Sequence, residues 1–186
     1  MKKVLLLFLT LCCLCGTAWA ADTHYVNEKY GFSLLIPQEF KSSSFEAPFA
    51  LGAYTNEKIF LQLRYITPQA GYSGTNFGNV TKKEIDDFIK RQRFVAAINT
   101  NKFSYLQHDT HVTANNFPYL WAMFVSDMPM GGQHFRTFLL KNYFFNKDII
   151  IEMDFIIPED EMKNSTSTIN NIVNSMAFKN PALTNK

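Results

Sequence analysis

Residues 149–162 read Ile-Ile-Ile-Glu-Met-Asp-Phe-Ile-Ile-Pro-Glu-Asp-Glu-Met. In an extended chain successive side chains alternate, so Ile149, Ile151, Met153, Phe155 and Ile157 share one side of a strand. Glu152 and Asp154 fall on the other, and two acids there predict a face at least partly wet. Pro158 stops the strand and suits the first turn of a helix, where Glu159, Asp160 and Glu161 complement the dipole. Met162, Ile169, Ile172, Val173 and Met176 then recur at helical spacing, and Asn180-Pro181 ends the segment.

Upstream, the pattern is of strands folding back on one another. Phe135–Phe145 precedes the opening strand across Asn146-Lys147-Asp148, and Phe103–Thr113 and Pro118–Ser126 flank Asn115-Asn116. Asp127 to Gln133 reads as a loop. Further back, Tyr25–Asn27, Phe32–Ile36, Leu51–Tyr54 and Ile59–Ile66 read as strands, with residues 41–48 as loop and Thr55-Asn56-Glu57-Lys58 as a hairpin turn. In the last of these Leu61, Leu63 and Tyr65 share one face, and Gln62 and Arg64 share the other with Phe60 and Ile66.

One helix interrupts the strands. Thr81-Lys82-Lys83-Glu84 matches a capping box, in which the Thr and Glu side chains satisfy free backbone donors. Ile85, Phe88, Ile89, Val95 and Ile98 follow at helical spacing, broken only by Gln92, and predict a helix over 82–99. Before it, Pro68 to Val80 is a thirteen-residue loop with three glycines, long enough to suggest function. Hairpin connections with two amphipathic helices give an α+β domain built on a central antiparallel sheet.

The first twenty residues stand apart. Lys2 and Lys3 precede an apolar run, Val4 to Leu14, and Ala18-Trp19-Ala20 supplies the small residues of a signal-peptidase site. The run is eleven residues, short of the ~20 that span a bilayer. All three cysteines, Cys12, Cys13 and Cys15, lie in this segment, and none follows the small residue that a lipobox needs. The expected organisation is a signal peptide over 1–20, one domain over 21–180 and a polar tail over 181–186. The mature chain then starts at Ala21 in the periplasm or the medium, without cysteine chemistry. It balances 16 Lys+Arg against 16 Asp+Glu. No basic surplus argues for nucleic acid, and no Lys/Arg cluster stands out for an anionic membrane.

Tyr25-Val26-Asn27-Glu28-Lys29-Tyr30-Gly31-Phe32-Ser33-Leu34-Leu35-Ile36-Pro37 resembles the opening of the PsbP-like superfamily: an Asn, a Tyr-Gly-Phe, and a strand ending in Pro with an aromatic soon after, here Phe40. The close, a long hairpin into Pro158 and a helix through Ile172-Val173-Asn174-Ser175-Met176-Ala177-Phe178, is similar to that family too. The resemblance covers most of residues 24–178. It implies a PsbP-like α/β/α sandwich with helices on both faces of the sheet. Its known members, among them an extrinsic subunit of the plant oxygen-evolving complex and a Ran-binding import factor, are mostly not enzymes. No functional residue carries over.

The candidate chemistry is sparse. His108 and His111 suggest a metal pair, but on a strand residues three apart face opposite ways. Asp109 and His111 do share a side and can pair. Gly71-Tyr72-Ser73-Gly74 misses the spacing of a nucleophile elbow. Glu84, Asp86 and Asp87 suit a helix dipole, and Glu152 with Asp154 reads as a solvated face before a glycosidase pair. Met128-Pro-Met130-Gly-Gly-Gln-His134 offers soft ligands for Cu(I), although methionine serves equally as gap filler or partner contact. The expectation is a non-catalytic binding or accessory module with no cofactor and no bound metal. Its partner is a protein or small ligand, it has no membrane span, and it is a monomer. The expected contacts are Tyr72, Phe77, Met128 and Met130, large apolar side chains in otherwise polar loops. The alternative is a secreted enzyme, or a factor acting on another cell.

Overall fold

The computed structural model describes residues 22–44, 49–67, 80–98, 102–130, 133–146 and 149–179, with the backbone alone at 128–130, 133 and 134. Among the described residues, ten strands form two antiparallel sheets. The smaller is ordered β1-β2-β10 and the larger β3-β4-β5-β9-β8-β7-β6. In chain order they are β1 Thr23–Asn27, β2 Phe32–Ile36, β3 Lys41–Ser42, β4 Ala50–Thr55, β5 Phe60–Ile66, β6 Ser104–Val112, β7 Pro118–Met130, β8 Gln133–Asn146, β9 Ile149–Pro158 and β10 Ala177–Phe178. Helix α1 spans Lys82–Ile98, and α2 spans Met162–Asn174 after a 3-10 turn at Glu159–Glu161.

The opening turn accounts for its own residue pattern. The Asn27 side-chain oxygen accepts the Tyr30 backbone N–H at 3.1 Å, a local bond that bends the chain between β1 and β2. Gly31 completes the bend at φ 65°, a conformation costly for a side chain with a Cβ. Its carbonyl accepts the Lys179 N–H at 2.8 Å and so holds the chain beyond β10. Tyr25 Oη donates to the Leu51 carbonyl at 3.1 Å, tying the small sheet to β4.

The large sheet is covered on both faces. On one, α2 and the small sheet enclose Phe32, Leu34, Leu61, Leu63, Ile151, Met153, Phe155, Ile169, Ile172, Val173 and Met176. On the other, α1 packs Phe88, Ile89 and Ala96 over Leu120, Phe124, Tyr143, Phe145 and Ile150. Helices on both sides of an antiparallel sheet agree with the expected architecture; the small sheet shares the α2 layer.

Four expectations about the elements are corrected. Lys41 and Ser42, read as loop, form β3 against β4. Residues 127–130 and 133–134 are strand and not loop, because β7 runs on to Met130 and β8 begins at Gln133. The second helix stops at Asn174 and not near Asn180. The Ser175 N–H and hydroxyl both bond back to carbonyls of the last turn, and Ala177 then pairs with Ser33 of β2. In α1, Val95 and Ile98 do not join the buried stripe; they are 54% and 67% exposed. Ala96 takes the buried position, and Gln92, the break in the pattern, accepts the Tyr143 hydroxyl at 3.2 Å.

Candidate functional site

The face carrying Glu152 and Asp154 is not wet. Both residues are 3% exposed, and Lys141 on the neighbouring strand is 5% exposed. Register explains how the charges coexist. Arg64 on β5 stands opposite Glu152, Gln62 opposite Asp154, Lys141 opposite Asp154, and Tyr143 opposite Glu152. Lys141 Nζ donates to Glu152, and to Asp154 Oδ2 at 3.2 Å. Arg64 Nη2 lies 2.9 Å from both carboxylates. Two cations and two anions thus neutralise one another across three strands, the condition under which charge is tolerated inside a fold.

The two acids are not equivalent. Burial and the neighbouring Glu152 push the Asp154 carboxyl up to about 6, only partly offset by Lys141 and Arg64. Glu152 is also disfavoured by burial, but Lys141 and Arg64 outweigh that and hold it below its ordinary value. Burial works against the Lys141 ammonium, yet Asp154 and Glu152 raise it above its ordinary value. Tyr143 is driven well above the usual phenol range, chiefly by burial. Asp154 Oδ1, Arg64 Nε and Gln62 Nε2 have no hydrogen-bond partner among the described residues. A carboxyl poised near neutrality can carry a proton, but both acids are clamped by cations, and only Arg64 reaches the surface, with 31% of its side chain exposed.

On the opposite face a groove of about 450 Å³ lies between β6–β7 and α2, lined by His111, Tyr119, Trp121, Met123, Asn142 and Asn170 among others. The His111 ring sits 6.0 Å from Tyr119 and 5.9 Å from Trp121, centroid to centroid. Tyr119 stacks in turn on Phe144 at 5.2 Å. Concave aromatic walls with a few amide tips suit a small, flat ligand.

A third feature lies at one end of the large sheet. Pairing of β6 with β7 reaches only Ser104–Val125, and pairing of β8 with β9 reaches only Thr137–Pro158. Beyond these limits β7 and β8 pair with each other alone, from Asp127–Arg136 to Met130–Gln133, as a projecting two-stranded ribbon. Met128 and Met130 belong to it, opposite Phe135 and Gln133. Phe135 is 49% exposed. By alternation Met128, Met130 and Phe135 hold register positions on the α1 side, in step with Phe124 and Leu139. The end of α1 lies there too, since the Phe103 N–H bonds to the Ala96 carbonyl just before β6 begins. It exposes Phe94 at 67%, Val95 and Ile98.

Of the expected contacts, Tyr72 and Phe77 lie outside the described residues, as does Gly71-Tyr72-Ser73-Gly74. Met128 and Met130 lie on strands and not on a loop. His108 and His111 are parted by strand alternation: His108 Nδ1 is 2.7 Å from the Tyr105 hydroxyl, and His111 Nε2 is 4.0 Å from Asp109. No group of three or more His, Cys, Asp or Glu side chains is assembled to hold a metal among the described residues. The capping box forms as read, with Thr81 N and Oγ1 each 2.7 Å from Glu84 Oε2. The exposed end of α1 was missed because its apolar residues continue the helical period of the buried ones.

No protein-family model matches the chain, and no curated protein matches it. Solved structures do. The solution structure of cyanobacterial PsbP (CyanoP) from Synechocystis sp. PCC 6803 superposes with a TM-score of 0.62 at 14% identity, covering 88% of this chain and 95% of that one. The chain has a PsbP-like fold. A Bacteroides thetaiotaomicron protein matches with a TM-score of 0.51 at 10% identity, over 86% of this chain but 49% of its own. The Saccharomyces cerevisiae Ran-binding protein Mog1p gives 0.47 at 11% identity, over 86% of this chain and 97% of its own. At these identities the likeness concerns the fold alone.

Proposed function

We propose that this protein is an exported, non-catalytic binding or accessory module whose contact surface is the end of the sheet bearing the β7–β8 ribbon. The observation that carries this reading is the ribbon itself, which outruns both neighbouring strands beside an exposed apolar helix end. An isolated two-stranded ribbon is marginal in water and gains from being covered. Met128, Met130 and Phe135 are the proposed contacts there. Tyr72 and Phe77 are proposed on the pattern of the sequence. A photo-crosslinking residue at position 94 or 135 should capture a partner from cells far better than one at Lys163, on α2. Equal capture of protein and of lipid at all three positions would rule the surface out.

The aromatic groove supports a second reading, a small-ligand module. Trp121 is the one tryptophan of residues 21–186, so its fluorescence reports on the groove directly. A screen of neutral aromatic and carbohydrate compounds that never shifts or quenches it would count against this reading.

A further inference from the structure

We propose that the partner met by this end of the molecule is an anionic lipid surface, with α1 lying on it as an interfacial helix. This rests on the contact surface of the preceding reading and names its occupant. Two observations point the same way. Phe94, Val95 and Ile98 are each more than half exposed, on less than two turns of one helix, although their neighbours Phe88, Ile89 and Ala96 are buried against the sheet. Side chains of this size facing water together are unusual on a protein with no apolar partner. Charge is also segregated along the chain. From Phe88 to Gln107 it carries Lys90, Arg91, Arg93 and Lys102 and no carboxylate, whereas Glu84, Asp86 and Asp87 crowd the first turns of α1. The overall balance of the mature chain conceals this cluster.

The geometry places cations and apolar groups as an interface needs them. Lys90, Arg91 and Arg93 are exposed on the same half of the helix as Phe94, Val95 and Ile98. The Arg93 guanidinium lies 4.7 Å over the Tyr105 ring, which fixes it at the helix flank. Lys102, two residues before β6, extends the positive rim past the helix end. Arg136, on the other side of the ribbon opposite Asp127 and bonded to Glu159 at 3.0 Å, is not part of this rim. An apolar stripe rimmed by Lys and Arg inserts shallowly at the headgroup level and is drawn there by negative lipid. A protein partner with an acidic rim would use the same charges. Three exposed apolar side chains set close together among cations on one helix favour the lipid, which needs no shape complementarity.

The test is co-sedimentation of residues 21–186 with vesicles of pure phosphatidylcholine and with vesicles one-third phosphatidylglycerol. The protein should partition to the anionic vesicles about tenfold or more above the neutral ones, and the difference should shrink as salt rises through physiological ionic strength. Phe94→Ser with Val95→Ser and Ile98→Ser should abolish binding, and Lys90→Glu with Lys102→Glu should remove the preference for phosphatidylglycerol. Circular dichroism of these surface variants should match the parent. Equal binding to both vesicle types, no binding, or unchanged binding of the variants would overturn the proposal. Concentration-dependent dimers that the triple serine variant loses would overturn it in favour of a second copy of the chain. Protein capture by the position-94 crosslinker without vesicle binding would refute the lipid and keep the contact surface. Loss of both would refute both.

Discussion

Lys141 on β8 and Asp154 on β9 stand directly opposite one another, Nζ 3.2 Å from Oδ2, with both side chains almost wholly out of water. Glu152, two residues before Asp154, closes the arrangement by accepting from the same ammonium group. Charges placed one strand apart in this way make register part of the stability: a one-residue slip would separate them and leave each alone in the interior.

Removing the central cation should therefore be costly. Lys141→Met keeps the length and removes the charge, leaving Arg64 alone against two buried acids. A loss of about 3–5 kcal/mol is expected, read as a fall in the urea midpoint with unchanged slope. A change below about 1 kcal/mol would show that the acids neutralise by taking up protons and that the network adds little.

The two acids predict pH dependences of opposite sign. Asp154 has its carboxyl raised from 3.8 to about 6 on folding. The folded state then holds a proton that the unfolded chain has released, so this residue's contribution to stability declines as pH rises through that window. Glu152 is held low, and its contribution is present above its ordinary range and lost as pH falls below it. Comparing the parent with Asp154→Asn isolates the first effect. Between pH 4 and 6 the parent should lose stability relative to the variant, by on the order of 3 kcal/mol if the full shift is expressed. A flat or rising difference would mean that Asp154 is ionised throughout.

Much of this was open to inspection in the chain. Thr81 and Glu84 announced a helix start because capping is local chemistry, completed within one turn. Strand β2 was legible in full, since Gly31 and Pro37 bracket it. Glu152 and Asp154 were misread for a non-local reason: what buries them are Lys141 and Arg64 on other strands, and pairing partners are not written beside a strand. The β7–β8 ribbon was lost behind Pro129 and two glycines, which are turn signals in isolation. The strand continues through Pro129, which stands opposite His134, because the partner strand supplies the pairing.

Processing is settled by mass alone. If Ala18-Trp19-Ala20 is the cleavage signal it resembles, protein recovered from its native host should begin at Ala21 with no added lipid. Intact-mass spectrometry distinguishes this from an uncleaved chain and from an acylated Cys15, and either of those would refute the assignment.

The last prediction asks which side of α1 holds the fold. Phe88 is 5% exposed, with its ring 4.9 Å from Tyr143 and 5.5 Å from Phe145, both edge-on. Truncating it leaves a cavity between helix and sheet, and Phe88→Ala should cost about 3–5 kcal/mol. Val95 continues the same helical period but lies more than half in water. Val95→Ser should accordingly change stability by no more than about 0.5 kcal/mol. Urea denaturation of the two variants separates the faces. If Val95→Ser were as costly as Phe88→Ala, the helix would be rotated from the arrangement described, the apolar stripe at its end would be core, and the case for a lipid-facing surface would fall with it.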